Sequence, residues 1–397
     1  MTASRRQMLK FGGAGLAAAA VLSPYRALWA QVKEEAENEP VTLVRKGIDK
    51  YLDVINADLL EAEAKAKLSE CVYVFIAHGQ GDQWTLRENR RAFGDYAFAP
   101  HRMGGIIRKE IDTSITILGE KLPHPVFVTP MGSHGLVHPE AEIATAEGAA
   151  KSGGLLCVSS ASTAVVEDIG KATAGPKWFQ MYLNVDQGIS RELLQRVKAA
   201  GFKAVILTID AIGQGSSDEY VRLGRCRPWL PYGNFTTGSA NAFKTDLSWK
   251  DLEFAATTSG LPVVAKGITR AEDAVAAVKA GAAAVQVSNH GGRALDGTPA
   301  AITVLPRIAD AMQGSAPIIM DSGIRRGMDV AKALALGANA VAVGRPVWWA
   351  LAVGGPGGVA GLMDYFNREL VNTMLHLGVD KVASLGRQHV QPVMRPE

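Results

Sequence analysis

A histidine stands three residues before an arginine, with two glycines between them, at the end of an apolar run in Val287–Asp296 (VSNHGGRALD). An imidazole titrates near neutrality and suits proton transfer, and a guanidinium presents a planar fork of donors to an anion. Glycines beside them let the backbone approach a ligand closely. Other polar residues end other apolar runs: Ser159-Ser160, Gln180 with Tyr182, Thr208 with Asp210, Lys266, Asp321, and Gly344-Arg345. A single polar residue at such a place is usually a cap or turn. Seven sets in one chain point to a common site.

The elements that must position them follow from the spacing. Short apolar runs recur at Val126–Pro130, Leu155–Ser160, Trp178–Leu183, Ala204–Asp210, Pro262–Gly267, Ala283–Asn289, Pro317–Gly323 and Ala340–Pro346. Most precede alanine-rich amphipathic segments such as Glu140–Lys151, Ala271–Ala280 and Met328–Leu336. Eight strand-like runs interleaved with helices predict an α/β chain closed into a (β/α)8 TIM barrel, with an open doubly wound sheet as the alternative. In a barrel the polar run ends converge on the C-terminal face. Asp321-Ser322-Gly323-Ile324-Arg325 and Val343-Gly344-Arg345 supply amides and guanidinium groups where the last two units commonly hold phosphate, so a phosphorylated ligand is expected there. The stretch between the fourth and fifth runs, Ala211 to Leu247, is long enough to be a functional lid.

Residues 1–30 read as a signal peptide. Ser4-Arg5-Arg6-Gln7-Met8-Leu9-Lys10 precedes a short apolar run, Phe11 to Ser23, and Leu28-Trp29-Ala30 offers a cleavage end. The paired arginines resemble a twin-arginine signal, which predicts a periplasmic or otherwise exported protein. Removing this segment takes the formal charge from +3 to about −1, which excludes a basic nucleic-acid surface. Residues 31–72 are expected to form an arm followed by an amphipathic helix from Ile48 to Leu68, and residues 73–397 the barrel. Three cysteines, Cys71, Cys157 and Cys226, make neither a CxxC motif nor an even set. An oxidising compartment allows one disulfide, and Cys157 inside LLCVSS reads as a buried thiol. No metal site is predicted.

GDQWTLRENRRAFGDY, FQMYLNVD, GFKAVILTID, SWKDL, AKGITRAEDA, VSNHGGRALDG, IMDSGIRRGMDVAKALALGA and VGRPV, in this order, resemble the FMN-dependent α-hydroxy acid oxidase and dehydrogenase family from about Tyr73 to Arg387. That family includes glycolate oxidase, lactate oxidase and mandelate dehydrogenase. The resemblance implies FMN and oxidation of a 2-hydroxy acid to the 2-oxo acid. It assigns His290 as base, Asp210 as its partner, and Lys266 beside the flavin. Met131, Gly132, Ser159, Gln180, Thr208 and Ser288 would contact the cofactor, while Asp321, Ser322, Gly323, Ile324, Arg325, Gly344 and Arg345 would hold ribityl and phosphate. Arg293 would grip the substrate carboxylate, with Tyr182 near the substrate oxygen. The resemblance also implies a homotetramer, and an electron acceptor that is oxygen, a quinone or an exported carrier.

The chain departs from the pattern at three places. Phe75 stands where relatives carry a carboxylate-binding tyrosine, Ser217 where they carry a second clamp arginine, and Ala161 at a position that is often tryptophan or tyrosine. Hydrogen bonds to a charged group contribute roughly 1.5–3 kcal/mol each, so two lost anchors predict a changed substrate, bulkier or less acidic, alcohol or amine. Arg222 and Arg225 in the loop after the fourth run are candidates to restore a charge contact. A non-catalytic flavin-binding protein is the competing class, and the retention of His290, Asp210, Lys266 and Arg293 argues against it.

Overall fold

A computed structural model describes residues 48–213, 217–224, 226, 230–235 and 242–393. The signal and most of the arm expected from the sequence lie outside these residues. Eight parallel strands close into a barrel: β1 (Val126–Met131), β2 (Leu155–Ser159), β3 (Lys177–Met181), β4 (Val205–Thr208), β5 (Val263–Ile268), β6 (Ala284–Val287), β7 (Ile318–Met320) and β8 (Ala340–Val343). The last strand pairs with the first through Val341 and Val126. All eight predicted runs are barrel strands, because only β-branched and apolar segments bounded by turns can be buried on both faces.

Alternate residues fill the interior. Phe127, Leu155, Cys157, Trp178, Ile206 and Val264 are among those that pack inside, and the Phe127 and Trp178 rings meet edge-on at 5.6 Å. A hairpin of Ile115–Ile117 and Glu120–Leu122 adds Ile117 and Leu122 to this cluster. Cys157 is the free, buried thiol expected, and burial pushes its pKa up.

The extension differs from its prediction. Residues 48–56 have no helical turns, and the helix α1 begins only at Ala57 (Ala57–Lys65), where the Asn56 side chain accepts from the Leu59 amide at 2.8 Å. The preceding segment lies on a bed of glycines: a Cβ at Gly355 would meet the Ile48 carbonyl at 1.8 Å, and one at Gly361 the Leu52 carbonyl at 2.1 Å. Lys50 donates its amide to the Gly354 carbonyl. Apolar residues at Ile48, Leu52 and Val54 are thus read by a distant surface, not by a helix. Next come α2 (Glu70–Ala77) and α3 (Trp84–Arg91), which reach the C-terminal face of the barrel, and short strands Tyr96–Phe98 and Val390–Pro392 tie the two ends of the domain together. The remaining helices used below are α4 (Asp218–Arg222), after β4, and α5 (Arg345–Leu377), which is interrupted at Gly355. Among the described residues no helix is long and apolar enough to cross a membrane.

Trp178→Ala empties the largest fully buried side chain of the barrel interior. We expect a loss of about 3–5 kcal/mol, read as a lower chemical-denaturation midpoint with an unchanged slope.

Candidate active site

The ends of β3 to β8 bring the predicted residues together. His290 directly follows the turn after β6 and lies in the left-handed region at φ 59°. Its amide donates to Ser288 Oγ at 3.0 Å, and the next amide, of Gly291, donates to Ser322 Oγ at 3.0 Å. These bonds fix the ring so that Nδ1 lies 3.0 Å from Asp210 Oδ1, while Nε2 faces the Tyr182 hydroxyl at 3.5 Å. Asp210 sits two residues beyond β4. A Cβ at Gly267 would come within 2.6 Å of Asp210 Cγ, and Gly267 has φ +109°, so a glycine one residue before the end of β5 admits the carboxylate. Burial works against an ionised Asp210, but the neighbouring His290 and Lys266 charges and the His290 hydrogen bond hold its pKa below the ordinary value. Burial and the Asp210 charge push the Tyr182 phenol up, so it stays protonated.

A second group is aimed at space that the protein leaves unfilled. Lys266 Nζ, Gln180 Nε2 and Thr208 Oγ1 are buried without a hydrogen-bond partner. They come from adjacent strands, and Thr208 and Lys266 are register partners. Gln180 is oriented by its carbonyl, which accepts from Ser159 Oγ at 2.8 Å, leaving its amide nitrogen free to donate. Buried donors need acceptors. The pyrimidine ring of FMN carries several carbonyl and nitrogen acceptors, and this donor set fits them. Met131 ends β1 beside Gly132, where a Cβ would strike the Ala161 carbonyl at 2.8 Å; the small residues at 132 and 161 pack directly on each other.

Asp321 is the hub of the next layer. Its Oδ1 accepts from Ser288 Oγ at 2.7 Å and Ser322 Oγ at 2.6 Å. Its Oδ2 accepts from Gln286 Nε2 at 2.6 Å and Thr129 Oγ1 at 3.3 Å, with Lys266 Nζ 3.9 Å away. Gln286 and Thr129 were not singled out in the sequence; a lone amide within the apolar AAAVQVS is the signal that could have marked Gln286. Ile324 is buried, and Arg325 keeps a buried Nε without a partner. Burial and the nearby Arg90 charge lower the Arg325 pKa. A Cβ at Gly323 would meet the Asn89 carbonyl at 2.0 Å, so the chain here runs backbone to backbone. A buried guanidinium with an unused donor fits a phosphate.

The remaining arginines hold the extension. Arg345, after Gly344, donates to the carbonyls of Ile76 at 3.0 Å, Gly291 at 2.9 Å and His78 at 3.0 Å. Arg293 Nη1 donates to the Phe75 carbonyl at 2.6 Å, and its guanidinium lies 5.1 Å from the centre of the Phe75 ring. Phe75 therefore faces the predicted carboxylate anchor with a π surface in place of a hydroxyl. Ser217 is buried, and its Oγ accepts from the Tyr220 amide at 3.0 Å to cap α4. Arg222 does not replace the missing clamp: it pairs with Glu219 at 2.5 Å and Glu70 at 3.4 Å, largely in solvent, because two carboxylates on the outer surface draw it away. Arg225 lies outside the described residues.

A family profile described as FMN-dependent dehydrogenase matches residues 64–392. Glycolate oxidase 3 of Oryza sativa subsp. indica is 38% identical over 355 residues, covering 85% of this chain and 96% of that protein. Among solved structures, a lactate oxidase of Pediococcus acidilactici superposes with a TM-score of 0.84 at 35% identity, covering 89% of this chain and 99% of its own. An arginine-to-leucine variant of mandelate oxidase, solved with 2-hydroxy-phenylacetamide, gives a TM-score of 0.81 at 34% identity over 86% of this chain and all of that one.

Asp210→Asn tests the dyad in two ways. Turnover should fall by roughly 10²–10⁴-fold, the usual scale for a positioned acid–base group. Because the folded Asp210 pKa is depressed, its ionised form stabilises the fold above the unfolded value near 3.8 and loses that effect as pH falls through the folded value. Denaturation midpoints of wild type and variant should therefore converge as pH is lowered through that window.

Proposed function

Because the chain belongs to the FMN-dependent dehydrogenase family and is an FMN-dependent oxidoreductase acting on CH–OH, we propose that it oxidises a 2-hydroxy acid or a close derivative with His290 as base, and that its carboxylate clamp has been relaxed. The observation that carries the reading is the His290–Asp210 pair at 3.0 Å beside three buried, unpartnered donors. When bound, FMN supplies the two-electron acceptor for the carbon that bears the hydroxyl. Lys266, Gln180 and Thr208 would hold its ring, Asp321 and Ser288 its polyol, and Arg325 with the Gly323 and Gly344 backbone its phosphate.

The protein's own part is proton handling and orientation. To act as base, His290 must be neutral with its proton on Nδ1 toward Asp210, which leaves Nε2, 3.5 Å from the Tyr182 hydroxyl, as the acceptor. Taking the hydroxyl proton at Nε2 makes an imidazolium, and the ionised Asp210 stabilises it. The protonated Tyr182 stands within reach of the same nitrogen and orients the substrate oxygen. Arg293 is the remaining cation for a carboxylate, and its reach is shared with the end of α2.

The substrate reading rests on what Phe75 and Ser217 do here. Neither presents a cation or a phenol, and the rings of Tyr182, Phe243 and Phe235 form an apolar wall, with centroids 5.1 and 6.2 Å apart in sequence. This arrangement suits a bulkier 2-hydroxy acid or a neutral amide or ester of one. The mandelate oxidase variant that holds 2-hydroxy-phenylacetamide is a parallel in a similar protein. Export by the twin-arginine route, supported by the SRRxxLK start, and an acceptor that is oxygen, a quinone or an exported carrier complete the proposal.

Anaerobic mixing of the holoprotein with a panel of 2-hydroxy acids, amides and esters reads flavin bleaching directly. Bleaching by the bulkier or neutral compounds, lost in His290→Ala, is the expected result; reduction by glycolate or L-lactate at ordinary millimolar KM would sink the relaxed clamp. Phe75→Tyr should raise kcat/KM for glycolate by roughly ten- to hundredfold, from one restored hydrogen bond to a charged group. Ser217→Arg should help less, since it also removes the α4 cap, worth about 1 kcal/mol.

A further inference from the structure

Two polar side chains lie buried within strands that are otherwise apolar, Thr129 in β1 and Gln286 in β6. Burying such groups costs free energy unless they are hydrogen-bonded, and both direct their bonds at one atom. Gln286 Nε2 donates to Asp321 Oδ2 at 2.6 Å, and Thr129 Oγ1 donates to the same oxygen at 3.3 Å. The Gln286 nitrogen also lies 3.3 Å from Thr129 Oγ1, so the three groups form a triangle. An ionised carboxylate only accepts, which fixes the end of the Gln286 amide that faces it.

Asp321 is held so that it cannot turn away. Its amide donates to the Val287 carbonyl at 3.0 Å, and Oδ1 accepts from the Ser288 and Ser322 hydroxyls. Oδ2, already occupied by two donors, is thus presented to Lys266, whose Nζ stops 3.9 Å away. Lys266 is the register partner of Gln286 on β5, so both side chains leave the same face of the sheet. At that distance no hydrogen bond forms, and Nζ is buried without a hydrogen-bond partner. A charge-assisted contact would close to about 2.8 Å, a small movement that the filled lone pairs of Oδ2 oppose.

We propose that Gln286, with Thr129, is a positioning residue that acts through Asp321: by occupying Oδ2 it keeps Lys266 from pairing with the carboxylate and leaves the ammonium available to the flavin ring. On the reading that Lys266 holds that ring, on which this rests, a cation kept beside it favours its reduced, negatively charged form. Gln286 and Thr129 therefore raise the reduction potential of bound FMN without belonging to the donor set described above.

The experiment measures the two-electron reduction potential of FMN in the holoprotein against reference dyes. Gln286→Met keeps the side-chain length and removes the donor. Lys266 then pairs with Asp321, and the potential should fall by about 30 mV, a tenfold change in the equilibrium. Thr129→Val should act in the same direction but less, because its bond is the longer one, and Thr129→Ser should keep the wild-type value. Lys266→Met should lower the potential by itself, and Gln286→Met added to it should shift it no further. Lost packing alone would lower the denaturation midpoint and leave the potential in place. An unchanged potential in Gln286→Met, or an equal fall with Lys266→Met already present, overturns the proposal while the Lys266 assignment stands. If Lys266→Met itself changes nothing, the assignment and the proposal fall together. Should Gln286→Met not fold, an unchanged potential in Thr129→Val overturns the proposal by the same measurement.

Discussion

The C-terminal end of α2 is where the molecule is held together electrostatically. Its last carbonyls, with no helical partners, carry partial negative charge, and two guanidinium groups converge on them. Arg293 arrives from the loop that carries His290, and Arg345 arrives from the end of β8 while also gripping the Gly291 carbonyl. One knot thus joins the N-terminal extension, the His290 loop and the closing strand. The two cations repel each other, and burial with that repulsion lowers the Arg345 pKa well below its usual value, so the carbonyls are what permit them to coexist. Contact is close enough that only glycines fit: a Cβ at Gly79 would meet the Gly292 carbonyl at 2.9 Å, and the Gln80 amide bonds that same carbonyl.

Behind the knot lies a set of buried charges in two pairs, and their partners differ in kind. Asp321 is saturated by four neutral or polar donors, so its charge is stabilised by the protein alone. Lys266 is close enough to feel that charge but makes no hydrogen bond. Fixing a positive charge beforehand, in a place that water does not fill, is how a protein stabilises negative charge that develops later without reorganising. Asp210 shows the same economy: one oxygen orients His290, the other is buried without a partner.

Much of this was legible in the chain because the barrel imposes two simple rules. Strands buried on both faces must read as apolar runs, and their ends must converge; eight runs and their polar endings were therefore enough to assemble His290, Asp210, Lys266, Gln180, Thr208 and Asp321. What escaped notice depends on contacts that no local pattern encodes. The apolar residues of 48–56 mimic a helix because the glycine bed that straightens them lies some three hundred positions later. Arg222 has the right charge and a plausible position, but Glu219 and Glu70 determine where it points. Gln286 and Thr129 act on Asp321 from inside strands, where a single polar residue is easily passed over. Cysteine spacing alone could not pair Cys71 with Cys226 across half the fold.

The departures at the proposed clamp make physical sense beside the described margin of the loop after β4. A clamp arginine on a loop contributes charge, and its long side chain must be ordered each time a substrate binds. At position 217 this chain instead places a buried serine whose hydroxyl starts a short helix and whose backbone is bridged to Gly81. The same loop margin then bears Cys226 and Arg222, both fastened to α2, the helix that presents Phe75 to Arg293. Along this edge of the site, fixed contacts stand where the family resemblance led us to expect a clamp charge. A fixed, apolar edge discriminates by shape more than by charge, and Arg293, which already donates to the Phe75 and Ile76 carbonyls of α2 and to that of His78 just beyond it, would be a weaker lure for a small free carboxylate than a full clamp. If charge selection is relaxed as proposed, the described margin of Ser217, Arg222 and Cys226 would supply fixed shape where a clamp charge was expected.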